Sequence, residues 1–78
     1  MKTTLYFDAT RQRGDRRAIL DEWISLAVRQ PAGQVVQADG RIRRWALIEA
    51  AGNRYLRVVL LPDSETVHNA FFDRRFKP

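Results

Sequence analysis

Cysteine is absent from this 78-residue chain, and histidine occurs once, at position 68. Without thiols there is no disulfide staple, no thiolate nucleophile and no thiolate metal site. One imidazole cannot build a histidine-based zinc site either, so neither a metal nor another cofactor is expected. Lysine is nearly missing: of the 14 basic residues only Lys2 and Lys77 are lysines, and the rest are arginines. Long apolar runs are missing as well. Val58-Val59-Leu60-Leu61 is as long as any, far short of the ~20 residues that a membrane span needs. Met1-Lys2-Thr3-Thr4 leads into no apolar stretch of the signal-peptide kind. No membrane partner and a cytoplasmic location are therefore expected. Asp21 and Glu22 are adjacent on a predicted helix and point in different directions, so no carboxylate pair suits glycosidase chemistry. Gly40 and Gly52 lack phosphate-loop spacing, and Ser25 and Ser64 lack a neighbouring base. These absences argue against a metalloenzyme, a nucleotidase and a serine hydrolase.

What is present fits one small folded domain over residues 1–78: 45% apolar and 29% charged residues, with a net charge of +5. The arginines are clumped. Arg11, Arg13, Arg16 and Arg17 share a segment with Asp15; Arg41, Arg43 and Arg44 lie together; Arg54 and Arg57 follow; Arg74, Arg75 and Lys77 close the chain. Clumped guanidinium groups suit phosphate, because each planar fork donates two parallel hydrogen bonds to two oxygens. The competing reading is a solvated charged face, or one that meets an acidic protein.

Hydrophobic periodicity predicts one helix over residues 15–30, with Ile19, Leu20, Trp23, Ile24 and Ala27 on one stripe, Asp15 as cap and Pro31 as stop. Leu5-Tyr6-Phe7 reads as a short strand. Strands are predicted at 34–38, 41–50, 54–61 and 66–72, divided by Asp39-Gly40, by Ala51-Gly52-Asn53 and by a Pro62 turn. Residues 54–61 are apolar on both faces and should be central, with Arg57 sharing a face with Tyr55 and Val59. On the last strand, alternation groups Val67 with Asn69 and Phe71, and Thr66 with His68, Ala70 and Phe72. Trp45 is expected in the core or in a dimer interface, and Asn69 is expected to be hydrogen-bonded within the core. The expected fold class is α+β: one N-terminal helix packed on one face of an antiparallel meander of four to five strands.

Three stretches carry a resemblance: Asp39-Gly40-Arg41-Ile42-Arg43-Arg44-Trp45, Tyr55-Leu56-Arg57-Val58-Val59-Leu60 and Val67-His68-Asn69-Ala70-Phe71-Phe72-Asp73-Arg74-Arg75. Together they resemble a family of small uncharacterised bacterial proteins that end on aromatic-Asp-Arg-Arg. That family in turn is similar to the BrnT and RelE/ParE toxins of toxin–antitoxin pairs. The resemblance implies a RelE/BrnT-like fold more firmly than an activity: several RelE- and BrnT-like proteins cleave RNA without a metal, which implies RNA or the ribosome as target and an acidic antitoxin as partner, whereas ParE-like ones act on gyrase instead. Related small proteins often carry a histidine just before the helix. Here Thr10-Arg11-Gln12-Arg13-Gly14 has none, so an activity that needs this histidine is either lost or moved to His68.

RNA cleavage without a metal needs an acid, a base and cations that stabilise the phosphorane. His68 is the one side chain that ordinarily titrates near neutrality; Arg57 and Arg43, on neighbouring strands, are the expected phosphate clamp, and Arg74 with Arg75 can reach the same edge, which makes His68, Arg57 and Arg74 the candidate catalytic residues. Arg41, Arg43, Arg44, Arg75 and Lys77 are the candidate nucleic-acid contacts, and Tyr55 is a candidate base-stacking ring. The alternative is a non-catalytic interaction module that binds an acidic partner, or forms a homodimer, through its open sheet face.

Overall fold

The computed structural model describes residues 1–78 as α+β: two helices and one four-stranded antiparallel sheet. The elements in chain order are α1 (Leu5–Thr10), α2 (Asp21–Arg29), β1 (Gly33–Val36), β2 (Ile42–Ile48), β3 (Arg54–Leu60) and β4 (Val67–Phe72), with a 3₁₀ turn at Glu49–Ala51. The strands pair in sequence order, β1-β2-β3-β4. This is the expected meander, with β3 inside it, and there is no fifth strand.

The segment Leu5-Tyr6-Phe7 is helical, not extended. Thr4 accepts the Phe7 backbone N–H through its hydroxyl and starts α1. Only one of the three apolar residues is needed inside: Phe7 is buried, whereas Leu5 is 88% exposed. A three-residue apolar run with strand-forming side chains carries no period, so helix and strand cannot be told apart by pattern. The chain before α1 still touches the sheet, through an isolated parallel bridge of Thr3 to Val67.

α2 starts six residues later than its apolar stripe predicts. Residues 11–20 form turns, and Leu20, in extended conformation, precedes the first helical residue without a side-chain cap. Asp15 therefore does not cap α2. Asp21 and Glu22 in the first turn, and Arg29 in the last, complement the helix dipole instead.

The turns follow their residue chemistry. Gly40 takes a φ of +89° in the β1–β2 hairpin, and the Asp39 carboxylate accepts the Arg41 backbone N–H. Gly52 and Asn53 take φ of 80° and 58° after the 3₁₀ turn. In the β3–β4 turn the Asp63 carboxylate accepts the Thr66 hydroxyl and the backbone N–H groups of Thr66 and Glu65, which holds its pKa down to about 2.

The core lies between the helices and one face of the sheet. Ile24 and Ala27 of α2 and Phe7 of α1 pack on Ile42, Ala46, Ile48, Leu56, Val58, Leu60, Val67 and Ala70. β4 departs from strict alternation. Val59 pairs with Asn69 but Leu60 pairs with Val67, so His68 is the extra residue of a bulge. Val67 thereby joins Ala70 and Phe72 on the helix side, while Asn69 and Phe71 face away; this corrects the grouping that alternation alone gives. No helix is long and apolar enough to cross a membrane.

Candidate nucleic-acid interface

The sheet face turned away from the helices is where the basic residues gather. Pleating sends Arg43, Trp45 and Leu47 of β2, Tyr55, Arg57 and Val59 of β3, and Asn69 and Phe71 of β4 to this side. Register then sets neighbours. Trp45 pairs with Arg57, which pairs with Phe71, so one row across the sheet reads ring, guanidinium, ring. The Arg57 guanidinium lies 5.8 Å from the Trp45 ring and 5.0 Å from the Phe71 ring. The next row reads Arg43, Val59, Asn69, which makes Arg43 and Arg57 diagonal neighbours.

A third guanidinium arrives from outside the sheet. The 11–20 loop carries Arg16 to the free side of β4, where its Nη1 donates to Asn69 Oδ1 at 2.7 Å and its guanidinium lies 5.2 Å from the Phe71 ring. Asn69 is thus held by this arginine rather than within the core.

Negative charge on this face is scarce. The Asp73 carboxylate accepts Trp45 Nε1–H at 3.0 Å and lies 3.5 Å from Arg57 Nη1. Burial by itself would raise the Asp73 carboxyl; the Trp45 donor, the Arg75 backbone N–H and Arg57 together outweigh it and hold the carboxyl below its ordinary range. Asp15, 3.8 Å from Arg16, is exposed to solvent. Arg43 forms no ion pair, and its buried Nε, like those of Arg16 and Arg57, has no hydrogen-bond partner. Burial, and next the charge of Arg43, push the Arg57 guanidinium below its ordinary pKa, against the pull of Asp73. It stays protonated at neutral pH, as every arginine does. Two guanidinium groups therefore stand as diagonal neighbours with one carboxylate, on Arg57 alone, an arrangement that an added anion would relieve.

The segment after β4 folds back over part of this face. Phe76 stacks on Trp45 with ring centroids 4.6 Å apart and planes 14° apart, and tilts against Tyr55 at 4.9 Å. Trp45 is buried for this reason, beneath a phenyl of its own chain. A cleft of about 280 Å³ opens beside Phe76, lined by Tyr55, Arg54 and Arg74 among others. A second, of about 260 Å³, lies between the 11–20 loop and the end of β4, lined by Arg16, Arg54 and Arg74.

The remaining candidates are dispersed. Arg44 points to the helix side, where it donates to Gln34 Oε1 and to the Val28 carbonyl in the last turn of α2; its role there is to close the helix. Arg41 pairs with Asp39 in the hairpin turn at 3.7 Å. Arg75 and Lys77 are exposed in the segment that carries Phe76. His68 stacks on Tyr6 at 4.8 Å, and its Nδ1 lies 3.0 Å from the Thr4 hydroxyl. The same hydroxyl accepts the Phe7 backbone N–H, so Thr4 ties the His68 ring to the start of α1. Burial, and then the charge of Arg41, lower the His68 pKa. His68 shares no partner with Arg57 or Arg74, so the proposed acid–base and the proposed clamp are not gathered in one constellation.

Trp45, Asn69 and Phe71 reach the face through strand alternation, whereas Arg16, Asp73 and Phe76 come to it from segments outside the strands, which no periodicity predicts. Arg16 and Asn69 are 53 positions apart, and only the path of the 11–20 loop joins them. No group of three or more histidine or acidic side chains is placed to hold a metal ion. No family model, curated protein or solved structure matches the chain.

Proposed function

We propose that this protein binds single-stranded RNA, with Arg16, Arg43 and Arg57 as the phosphate contacts. The observation that carries the reading is the Arg43–Arg57 pair: adjacent guanidinium groups on an open sheet face, one of them without any carboxylate. A phosphodiester between them removes the like-charge repulsion and accepts from two planar forks at once. Single strands suit the face better than duplexes, because a sheet that offers rings beside cations can stack unpaired bases while it tracks the backbone. Residues 39–75 resemble a family of small bacterial proteins that is itself similar to the RelE/BrnT-type toxins, and RNA as the target is in line with that likeness. RNA cleavage is the less supported extension, since His68 spends Nδ1 on Thr4 and stands apart from the arginines.

The test is fluorescence anisotropy with a labelled oligoribonucleotide over a range of salt. Three phosphate contacts predict a slope of log affinity against log salt of about −2, and Arg43→Gln should reduce it by about 0.7. Arg44→Gln, on the other side of the sheet, should leave the slope alone. A flat salt response of the wild type overturns the reading. The same flat response would favour the second reading, an acidic antitoxin-like protein as partner, which draws on Val35 and Leu47. These apolar side chains, 49% and 38% exposed, share the face of Arg43.

A further inference from the structure

The segment after β4 places a carboxylate and a flat ring on the arginine face at once. Asp73 sets its carboxylate against Arg57, and three residues further on Phe76 lays its ring nearly parallel on Trp45. An anion on an arginine with an aromatic ring stacked on the neighbouring indole is the contact set that one nucleotide would make, phosphate on Arg57 and base on Trp45. We infer that Trp45 is the floor of a base-stacking subsite, that Phe76 occupies it in the free protein, and that an unpaired base of a bound strand takes its place.

Two further observations bear on this. Phe76 is held by rings and by a close approach to Gly33 of β1, with no hydrogen bond of its own: a Cβ added at Gly33 would sit 2.8 Å from Phe76 Cζ. Asp73 still donates its backbone N–H to the Tyr55 carbonyl of β3 at 2.9 Å, but residues 74–78 belong to no helix or strand and make no backbone–backbone hydrogen bond, so the ring can leave while the β3–β4 ladder stays intact. The ring is therefore the most readily exchanged piece of this face, whereas Trp45 is fixed by β2 and by its N–H to Asp73.

The inference rests on the RNA-binding reading, and the experiment separates the two. Phe76→Ala empties the subsite by deletion. Gly33→Ala expels the ring by contact and leaves the 73–78 segment chemically intact. Anisotropy is measured for the wild type and both variants with labelled oligo-uridylate, with oligo-thymidylate and with a duplex of equal length. Both variants should bind the single strands roughly three- to tenfold more tightly than the wild type, and the duplex no more tightly, because its bases are already stacked. Similar gains for oligo-uridylate and oligo-thymidylate are expected, since a ring on an indole does not read the 2′-hydroxyl. If the wild type binds and the variants bind equally or more weakly, Phe76 is only packing and the inference fails while the RNA-binding reading stands. Equal gains on the duplex also overturn it, since they would report uncovered charge. If no form binds, the RNA-binding reading fails and the inference with it. Urea unfolding of each variant completes the set: collapse of both variants would make Phe76 a core residue and defeat the inference.

Discussion

β3 presents two faces built to opposite rules within seven residues. On the helix side Leu56, Val58 and Leu60 are each 0% exposed and belong to one apolar cluster, with Arg44 beside Val58 the polar exception. On the other side stand Tyr55, Arg57 and Val59, and the cover is improvised from the 11–20 loop and the 73–78 segment. The helix side buries hydrocarbon beneath hydrocarbon and needs no polar partner. The far side half-buries cations on aromatic rings, where Arg43 has no carboxylate, Arg16 has only the exposed Asp15 and Arg57 shares Asp73 with Trp45. The first arrangement makes stability. The second holds unbalanced positive charge in place, which is a binding surface's requirement and adds little to stability.

Substitutions that act on one face alone test this contrast. The largest effect is expected on the helix side: Leu56→Ala should cost about 2–5 kcal/mol, against a total stability of about 4–12 kcal/mol for a chain of this size. Urea unfolding should show a large fall in the midpoint, or loss of the cooperative transition. Next is the hairpin that sets which residues of β2 face which way. Gly40→Ala forces a side chain into the left-handed region at φ +89°, costing about 1–2 kcal/mol. That is read as a lower Tm with the RNA salt slope retained by the folded fraction. Arg43→Gln should leave the unfolding midpoint within about 0.5 kcal/mol of the wild type yet weaken RNA binding by about tenfold. A comparable loss of stability would mean that the far face is structural after all.

The smallest effect is a pH dependence. His68 has a folded-state pKa below its ordinary 6.5, so the unfolded chain binds more protons in between. Stability should therefore rise as pH climbs from the depressed value to 6.5 and then level off. Urea midpoints measured from about pH 5 to 8 should show this rise, and His68→Gln should flatten it. A rise that persists in the variant would assign the titration to another group.

Much of the β-meander is legible in the residues. Period-two alternation places Arg57 with Tyr55 and Val59, the two-sided apolar content of residues 54–61 makes that strand an inner one, and Asp39-Gly40 marks the hairpin. The failures have physical causes. Leu5-Tyr6-Phe7 is too short to carry a period, and a Thr4 cap decided for helix. The apolar stripe of α2 runs through Ile19 and Leu20 into extended chain, because Ile19 is buried whether or not it is helical. One inserted residue at His68 shifts the faces of β4, which no alternation count can anticipate. Within the site, Arg43, Arg57 and Tyr55 were accessible through strand register, whereas Arg16, Asp73 and Phe76 come from loops whose direction has no local code.

By itself the sequence determined the local terms: a cysteine-free, arginine-rich α+β chain, the turn glycines, the strand periods and the side of β3 on which Arg57 lies. These depend on neighbours a few positions apart, and backbone geometry alone enforces them. Only the tertiary structure decided that Arg16 reaches Phe71, that His68 turns to Thr4 and Tyr6, and that Phe76 covers Trp45. Those contacts join residues from 31 to 64 positions apart. They exist because packing the helices on one side of the sheet leaves the other side to be covered by whatever chain remains.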